Sequence, residues 1–520
     1  MTRPTVRRSA LAPVVAGPPA VPAAARPLRP DGAQPRASGV RPRPPAALLI
    51  PASLALAAIT LLGPSAPTYD PWSWINWGRE VAALDLNTVA GPSWKPLPVL
   101  FTTVFSLAGD AAPDLWMLTA RAGGLLALVM AYRLGTRLGG RVAGGVAAAA
   151  LLLADGWFYT VGLGNSEGIL VALALWGVER HLDGRPDHAF TLGVGVALLR
   201  PEAWPFIGLY GLWLFWTRPR ARALVAAGLI AIPVLWFLPE LWGSGELLRS
   251  SDRANTPDAL SPAFADRPAL AVLARAVAVI PGPALVGLGL AALLGPFASH
   301  RGEGRLALAL AAVGAAWLAL VALMTQAGYS GNFRYILLPV GLACVLGGVG
   351  WGWLARSAAS AADRRLGRRV LGARVAVGAL AVVVAAPFLP RLVEAAPREV
   401  AKLSYEAALY DSLGVAVTRA GGPGQVLAWG RPVTGPYQVP GLAWRLRTHG
   451  IVVGLDPREA GTVFSAPPVR GARPEPPLPS GNPRFRTAAR AGPWEVSVAC
   501  RPRPAEGRAA AAVRTPALSP

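Results

Sequence analysis

Charge is scarce in this 520-residue sequence: Asp, Glu, Lys and Arg make up only 15% of it, and 28 residues are acidic. So little charge excludes an ordinary soluble enzyme. Cysteine is scarcer, at two residues. Cys344 lies inside an apolar run and Cys500 near the C-terminus, so no mutual disulfide is expected. The four histidines, His181, His188, His300 and His449, form no motif, and no Cys/His group has zinc-site spacing. The sequence therefore implies no metal, although a divalent ion remains compatible with it. No repeat of fixed period is present. What the chain has in abundance is apolar residues, 53%, gathered into long runs, the pattern of membrane spans. The formal charge of +22 comes from arginines scattered singly and in pairs between those runs. This placement suits the cytoplasmic ends of helices and gives no reason to expect nucleic acid as a partner.

Residues 1–46 are rich in Pro, Ala and Arg without periodicity, which predicts a disordered cytoplasmic tail. The run Ala46 to Leu62 follows a leader too long for a standard signal peptide and is read as an uncleaved first span. Further spans are predicted near 113–132, 142–156, 166–179, 189–200, 202–216, 223–241, 283–298, 306–326, 335–355 and 375–390, about eleven in all. Alternate connections carry the positive charge, among them Arg133/Arg137/Arg141, Arg180/Arg185, Arg218/Arg220/Arg222, Arg301/Arg305 and Arg364 to Arg374, and these are assigned to the cytoplasm. The expected organisation is a tail to 46, a transmembrane domain over 47–390 with its first outer loop at 65–112, a small extracytoplasmic α/β domain over 391–500, and a disordered tail over 501–520. "GQVLAWG", "GIVVGL" and "GPWEVSVAC" are the strand-like pieces of that last domain.

The unusual residues fall on the outer connections. In "SAPTYDPWSWINWGRE" (65–80), Asp70 stands among Tyr69, Trp72 and Trp74 where the first apolar run ends. Trp74, Trp77, Val81 and Leu84 recur at helical intervals, which predicts an amphipathic helix in the outer interface. A second apolar segment is entered through Pro96 and Pro98. The tryptophans by themselves read as an interfacial belt, but a carboxylate at a membrane boundary needs a partner or a task. Lys95, Arg200 and Arg334 are outer cations, each able to hold a phosphate or merely to pair with a headgroup or an acid. Arg200 and Glu202 sit in "RPE", which breaks two spans. Glu167, after Asn165 and Ser166, is either a helix-start residue or a sugar-binding carboxylate. Asp85, Asp110 and Asp114 read as loop and cap residues. The loop 242–282, with Arg249, Asp252 and Arg253, suits an acceptor-side lid and equally an ordinary solvated loop.

An Asp closing the first span, an outer loop of two helices, "KPLPVLFTTVFSLAGDAAPDLWMLTARAGGLLALVMAYRLGTRLGG" and then short alternating spans together resemble the GT-C glycosyltransferase superfamily, in particular its protein O-mannosyltransferase and lipid A aminoarabinose transferase branch. The likeness runs from about 47 to 220 and returns at "NFRYILLP", 332–339. It implies an enzyme that takes a sugar from a polyprenyl-phosphate carrier at the outer leaflet and passes it, with inversion, to an envelope polysaccharide, glycolipid or protein. Asp70 takes the family's catalytic position, as general base on the acceptor hydroxyl. Nearby rings are expected to raise its basicity by limiting solvation. Lys95, Arg200 and Arg334 would stabilise the departing phosphate, and Tyr69, Trp72, Trp74, Glu167 and Glu202 would line the sugar or acceptor site. The chain departs from the family in reading Asp70-Pro71 where Asp-Glu is common, and Trp94-Lys95-Pro96-Leu97 where His-Pro-Pro-Leu is usual. Sugar, acceptor and metal dependence stay open.

Two other readings compete: a transporter or flippase of a lipid-linked envelope precursor, and a non-catalytic membrane scaffold. A transporter places ionisable residues near the midplane of broken helices, whereas these charges gather at one face.

Overall fold

The computed structural model describes residues 46–257, 261–298, 302–366, 370–459, 461–478 and 484–499. The expected tails, up to residue 45 and from residue 501, lie outside the described residues, as do His300, Arg301, Arg368, Arg369 and Cys500.

Every apolar segment expected to span is a helix. The order is α1 (Ala46–Thr60), α2 (Tyr69–Ala82), α3 (Pro96–Phe105), α4 (Ala112–Gly139), α5 (Arg141–Leu152), α6 (Trp157–Gly162), α7 (Glu167–Leu182), α8 (Pro186–Ala197), α9 (Trp204–Thr217), α10 (Arg222–Ser244) and α11 (Arg249–Ala254). There follow α12 (Pro268–Val279), α13 (Gly282–Ala298), α14 (Glu303–Gln326), α15 (Leu337–Leu366), α16 (Val370–Ala385), α17 (Leu389–Arg419), α18 (Gly422–Ala428) and α19 (Val439–Leu446). Among the described residues four helical stretches are long and apolar enough to cross a membrane, or five if the pair α12 and α13, bent by 102°, counts as one span. Several others are too short alone. The 12 residues of α5 or α8 reach about 18 Å, against a hydrocarbon core of roughly 30 Å.

The helices pack closely because their contact faces are small. α15 lies along α5, α13 and α4. A Cβ on Gly347 would stand 2.5 Å from the Ala284 carbonyl oxygen, so only glycine allows α13 and α15 to meet there. Trp353 and Arg356 on α15 both reach the Leu138 carbonyl at the end of α4, at 3.1 and 3.3 Å, which ties these helices together at that end of the bundle.

Four strands follow: β1 (Pro432–Thr434), β2 (Thr462–Ser465), β3 (Phe485–Ala491) and β4 (Trp494–Ala499), in the order β1-β2-β4-β3. β1 and β2 run parallel, and the other pairs are antiparallel. The sheet packs on α17, where Trp494 Nε1 donates to the Leu409 carbonyl at 2.7 Å. "GPWEVSVAC" thus contains a strand, but two expectations are corrected. "GQVLAWG" falls largely in α18, which Gly421 opens in the left-handed conformation with Pro423 in the first turn. "GIVVGL" makes a short 3-10 turn at Gly450–Val452 and then one bridge from Gly454 to Val433. A short apolar run does not by itself distinguish helix from strand.

A second correction concerns α2. It forms where its spacing predicted, but it is no surface helix. Residues 70–78 and Glu80 are all buried, because α3 covers one side and α19 another. Leu84, expected on its apolar face, lies beyond its end and is exposed.

Candidate functional site

The site is assembled at the starts of helices. Asp70 is the second residue of α2, where the helix dipole favours a carboxylate. Lys95 precedes Pro96 and Arg200 precedes Pro201. The proline ring forces each basic residue into an extended backbone, at φ/ψ of −138°/112° and −144°/120°. Each then stands just outside a helical start with its side chain turned to the same place. Arg334 rides on the 3-10 turn Phe333–Ile336, whose first N–H groups include that of Arg334 itself, donated to Asn332 Oδ1 at 3.0 Å.

Arg334 Nη1 lies 2.8 Å from Asp70 Oδ2 and donates to Asn165 Oδ1 at 2.7 Å. Glu167, fully buried at the start of α7, pairs with Arg200 and stands 3.8 Å from Lys95 Nζ. The Arg200 guanidinium lies 4.5 Å from the Tyr335 ring centroid, and Lys95 Nζ 4.9 Å from that of Trp74. Asp70, Lys95, Glu167, Arg200 and Arg334 thus form one buried ion cluster. Many of its atoms are unsatisfied: Lys95 Nζ, Arg200 Nε, Glu167 Oε2 and both carboxylate oxygens of the buried Glu202 have no hydrogen-bond partner. Such atoms are costly unless something else comes to meet them.

Electrostatics corrects one expectation. Burial does act to raise the pKa of Asp70, but Arg334, Lys95 and Arg200 outweigh it and hold the carboxyl below the usual range. Burial and the neighbouring Arg200 push the Lys95 ammonium down to about 7, against the pull of Glu167.

The aromatic residues divide. Trp74 joins the cluster and meets Trp116 edge to face at 5.4 Å. Tyr69 meets Tyr437 edge to face at 6.0 Å and lines a 630 Å³ cleft with Gly91, Arg249, Arg253, Val439 and Ile451, between the loops that follow α2 and α10 and the sheet region. Trp72 turns away from the ions and packs between Tyr410 and Trp444, at 5.6 and 6.3 Å.

Three buried charges escaped the sequence reading: Arg121, Glu240 and, at the far end of α7, Glu179. Arg121 on α4 donates to the carbonyls of Thr60, Pro64 and Gly162 at 2.7, 2.9 and 3.0 Å, which fixes the turn that leads to Asp70. Glu240 on α10, fully buried, accepts from Thr88 at 3.0 Å and from Ser250, and pairs with Arg249 at 3.4 Å. Arg249 in turn donates to the carbonyls of Val89, Gly91 and Pro92, on the strap that ends at Lys95. The available signal was a lone charge inside each apolar run. Among the described residues no group of three His, Cys, Asp or Glu could hold a metal ion.

No protein-family model and no curated protein matches this sequence. Solved structures do. ArnT from Cupriavidus metallidurans is similar in its apo state at a TM-score of 0.52 and bound to undecaprenyl phosphate at 0.50, in both cases with 15% identity over 87% of this chain and 97% of that chain. An oligosaccharyltransferase of Archaeoglobus fulgidus is similar at 0.41, with 14% identity over 80% of this chain and 64% of that one. The fold is GT-C. The GT-C likeness extends well beyond the segments that suggested it, since the 87% of the chain covered reaches past residues 47–220 and 332–339. Within this fold the sequence-named Asp70, Lys95, Glu167, Arg200 and Arg334 converge, Glu202 lies beside Arg200, and Trp72 stands apart.

Proposed function

We propose that the chain is an integral-membrane glycosyltransferase that moves a sugar from a polyprenyl-phosphate donor to a cell-envelope acceptor. The observation that carries this reading is the set of three cations around Asp70, two of them buried and Arg334 half-buried, with Lys95 Nζ unsatisfied. A phosphate would meet that need. The likeness to an ArnT structure holding undecaprenyl phosphate supports the same class of donor.

In this mechanism Asp70 takes the proton of an acceptor hydroxyl whose oxygen attacks the anomeric carbon from the side opposite the phosphate. The carbon–oxygen bond to phosphate breaks, its electron pair stays on the phosphate oxygen, and the configuration inverts. Lys95, Arg200 and Arg334 stabilise the growing negative charge. A carboxylate held by three cations is ionised but weakly basic. Donor phosphate would draw on those same cations and so strengthen Asp70 as a base only once the donor is seated. Tyr69, adjacent to Asp70, lines the 630 Å³ cleft, which supports reading that cleft as the acceptor's approach, with Arg249 and Arg253 of the loop 242–282 in its wall.

The sidedness belongs to the proposal too. Arg137 and Arg180 lie at the opposite ends of α4 and α7 from the cluster, and the positive-inside rule then puts Asp70 and the sheet region outside and the N-terminus in the cytoplasm. The test is transfer by purified full-length protein, with a panel of polyprenyl-phosphate sugars and envelope extracts. Transfer from one donor supports the reading. A folded protein that transfers from none, yet moves labelled lipid between leaflets, replaces it with the flippase reading.

A further inference from the structure

The helix that bears Asp70 is held from outside the membrane bundle. Asn76 lies two turns along α2, is buried, and has its whole amide engaged: Nδ2 donates to the Trp72 carbonyl at 3.0 Å and to the Pro440 carbonyl of α19 at 2.7 Å, while Oδ1 accepts from Arg79 at 3.0 Å. Arg79 donates on to the Thr448 carbonyl at 2.9 Å, and its guanidinium lies 5.0 Å from the Trp444 ring centroid. Gly441 lets α19 lie against α17, because a Cβ there would stand 2.5 Å from the Tyr410 ring. On the other side of α2, Thr102 of α3 donates to the Trp74 carbonyl at 2.7 Å and packs where Gly78 has no side chain. α2 is a rod of 14 residues, about 20 Å long, gripped by the bundle on one side and by α19 on the other, with Asp70 in its first turn.

We infer that Asn76 and Arg79 are positioning residues: through them α19 sets the height and rotation of α2, and so the distance of the Asp70 carboxylate from the reacting hydroxyl. The inference rests on the glycosyltransferase reading and gives the C-terminal region a task within it. Lys95, Arg200 and Arg334 are not on α2, so donor binding should be spared. Catalysis is far more sensitive to misplacement than binding is, with about 100-fold lost for an ångström.

The test compares full-length Asn76→Ala with Ser465→Ala. Ser465 donates to the Pro476 carbonyl at 2.8 Å in the sheet and does not touch α2, so its loss weakens the C-terminal region without releasing the helix. Expected for Asn76→Ala is a kcat lowered about 10- to 100-fold, a donor KM within about twofold, and faster amide exchange over Tyr69 to Ser73. Ser465→Ala should lower the melting temperature and leave kcat and that exchange near wild type. The positioning role is overturned if Asn76→Ala raises donor KM at unchanged kcat, if both variants lose kcat in step with their melting temperatures, or if exchange over Tyr69 to Ser73 does not change. The exchange arm reads the clamp even if the protein turns over no donor, so failure of the clamp and failure of the glycosyltransferase reading are separable.

Discussion

α7 carries a buried glutamate at each end, and the two ends behave differently. At its last turn both oxygens of Glu179 are engaged, by Arg133 at 2.9 Å and by Arg180 at 3.2 Å, while Asp183 pairs with Arg180 at 2.6 Å and with Arg137. There, only Arg180 Nε lacks a partner. At its first turn Glu167 shares its pairing with Arg200 and the more distant Lys95, and its own Oε2, Lys95 Nζ, Arg200 Nε, Trp74 Nε1 and both Glu202 carboxylate oxygens are unsatisfied. A network closed on itself holds helices together. One left open has sites for a ligand, and the open one surrounds Asp70.

Mutation should separate the two ends. Arg200→Lys at the open end keeps a positive charge beside the buried Glu167 but loses the forked guanidinium, and it should cut transfer efficiency about 10- to 100-fold with little change in melting temperature. At the closed end, Glu179→Ala should do the reverse: it leaves two arginines without their buried counter-charge, costs about 3 kcal/mol of stability, and preserves the turnover of molecules that remain folded. Equal effects of both changes on stability would erase the distinction. Lys95→Met removes an unsatisfied buried ammonium, so it should raise the melting temperature while weakening undecaprenyl phosphate binding about tenfold.

The pH dependence sharpens the contrast further. Lys95 loses its proton through about pH 7, so kcat/KM for the donor should fall as pH rises through 7, and Lys95→Arg should abolish the fall. Because its folded pKa lies below the unfolded value of about 10.4, the unfolded chain binds more protons between those limits. Stability from this group therefore increases with pH over that window. Asp70, held below the usual carboxylate range, should add no acid limb above about pH 4.

Most of the open end was legible from residue type and position. Lys-Pro and Arg-Pro at helix starts, a lone Asp after the first span and Glu167 at the head of another are local features, and local features survive in a single sequence. What was hidden depends on distant segments. Asn76 is an ordinary polar residue until Pro440, 364 positions away, meets it. Trp72 looks like its neighbours until α19 covers it. The helices were legible through long apolar runs, whereas the sheet was only partly so: β4 was visible, but α18 has the same apolar character as a strand.

The central claim is that the open cluster serves a reaction at Asp70, and the most direct test is single-turnover glycosyl transfer by Asp70→Asn beside its binding of undecaprenyl phosphate. Asparagine keeps the shape and removes the base. The prediction is a folded protein that still binds the lipid phosphate but transfers about 100- to 10,000-fold more slowly. Transfer at the wild-type rate by the folded variant would contradict the claim.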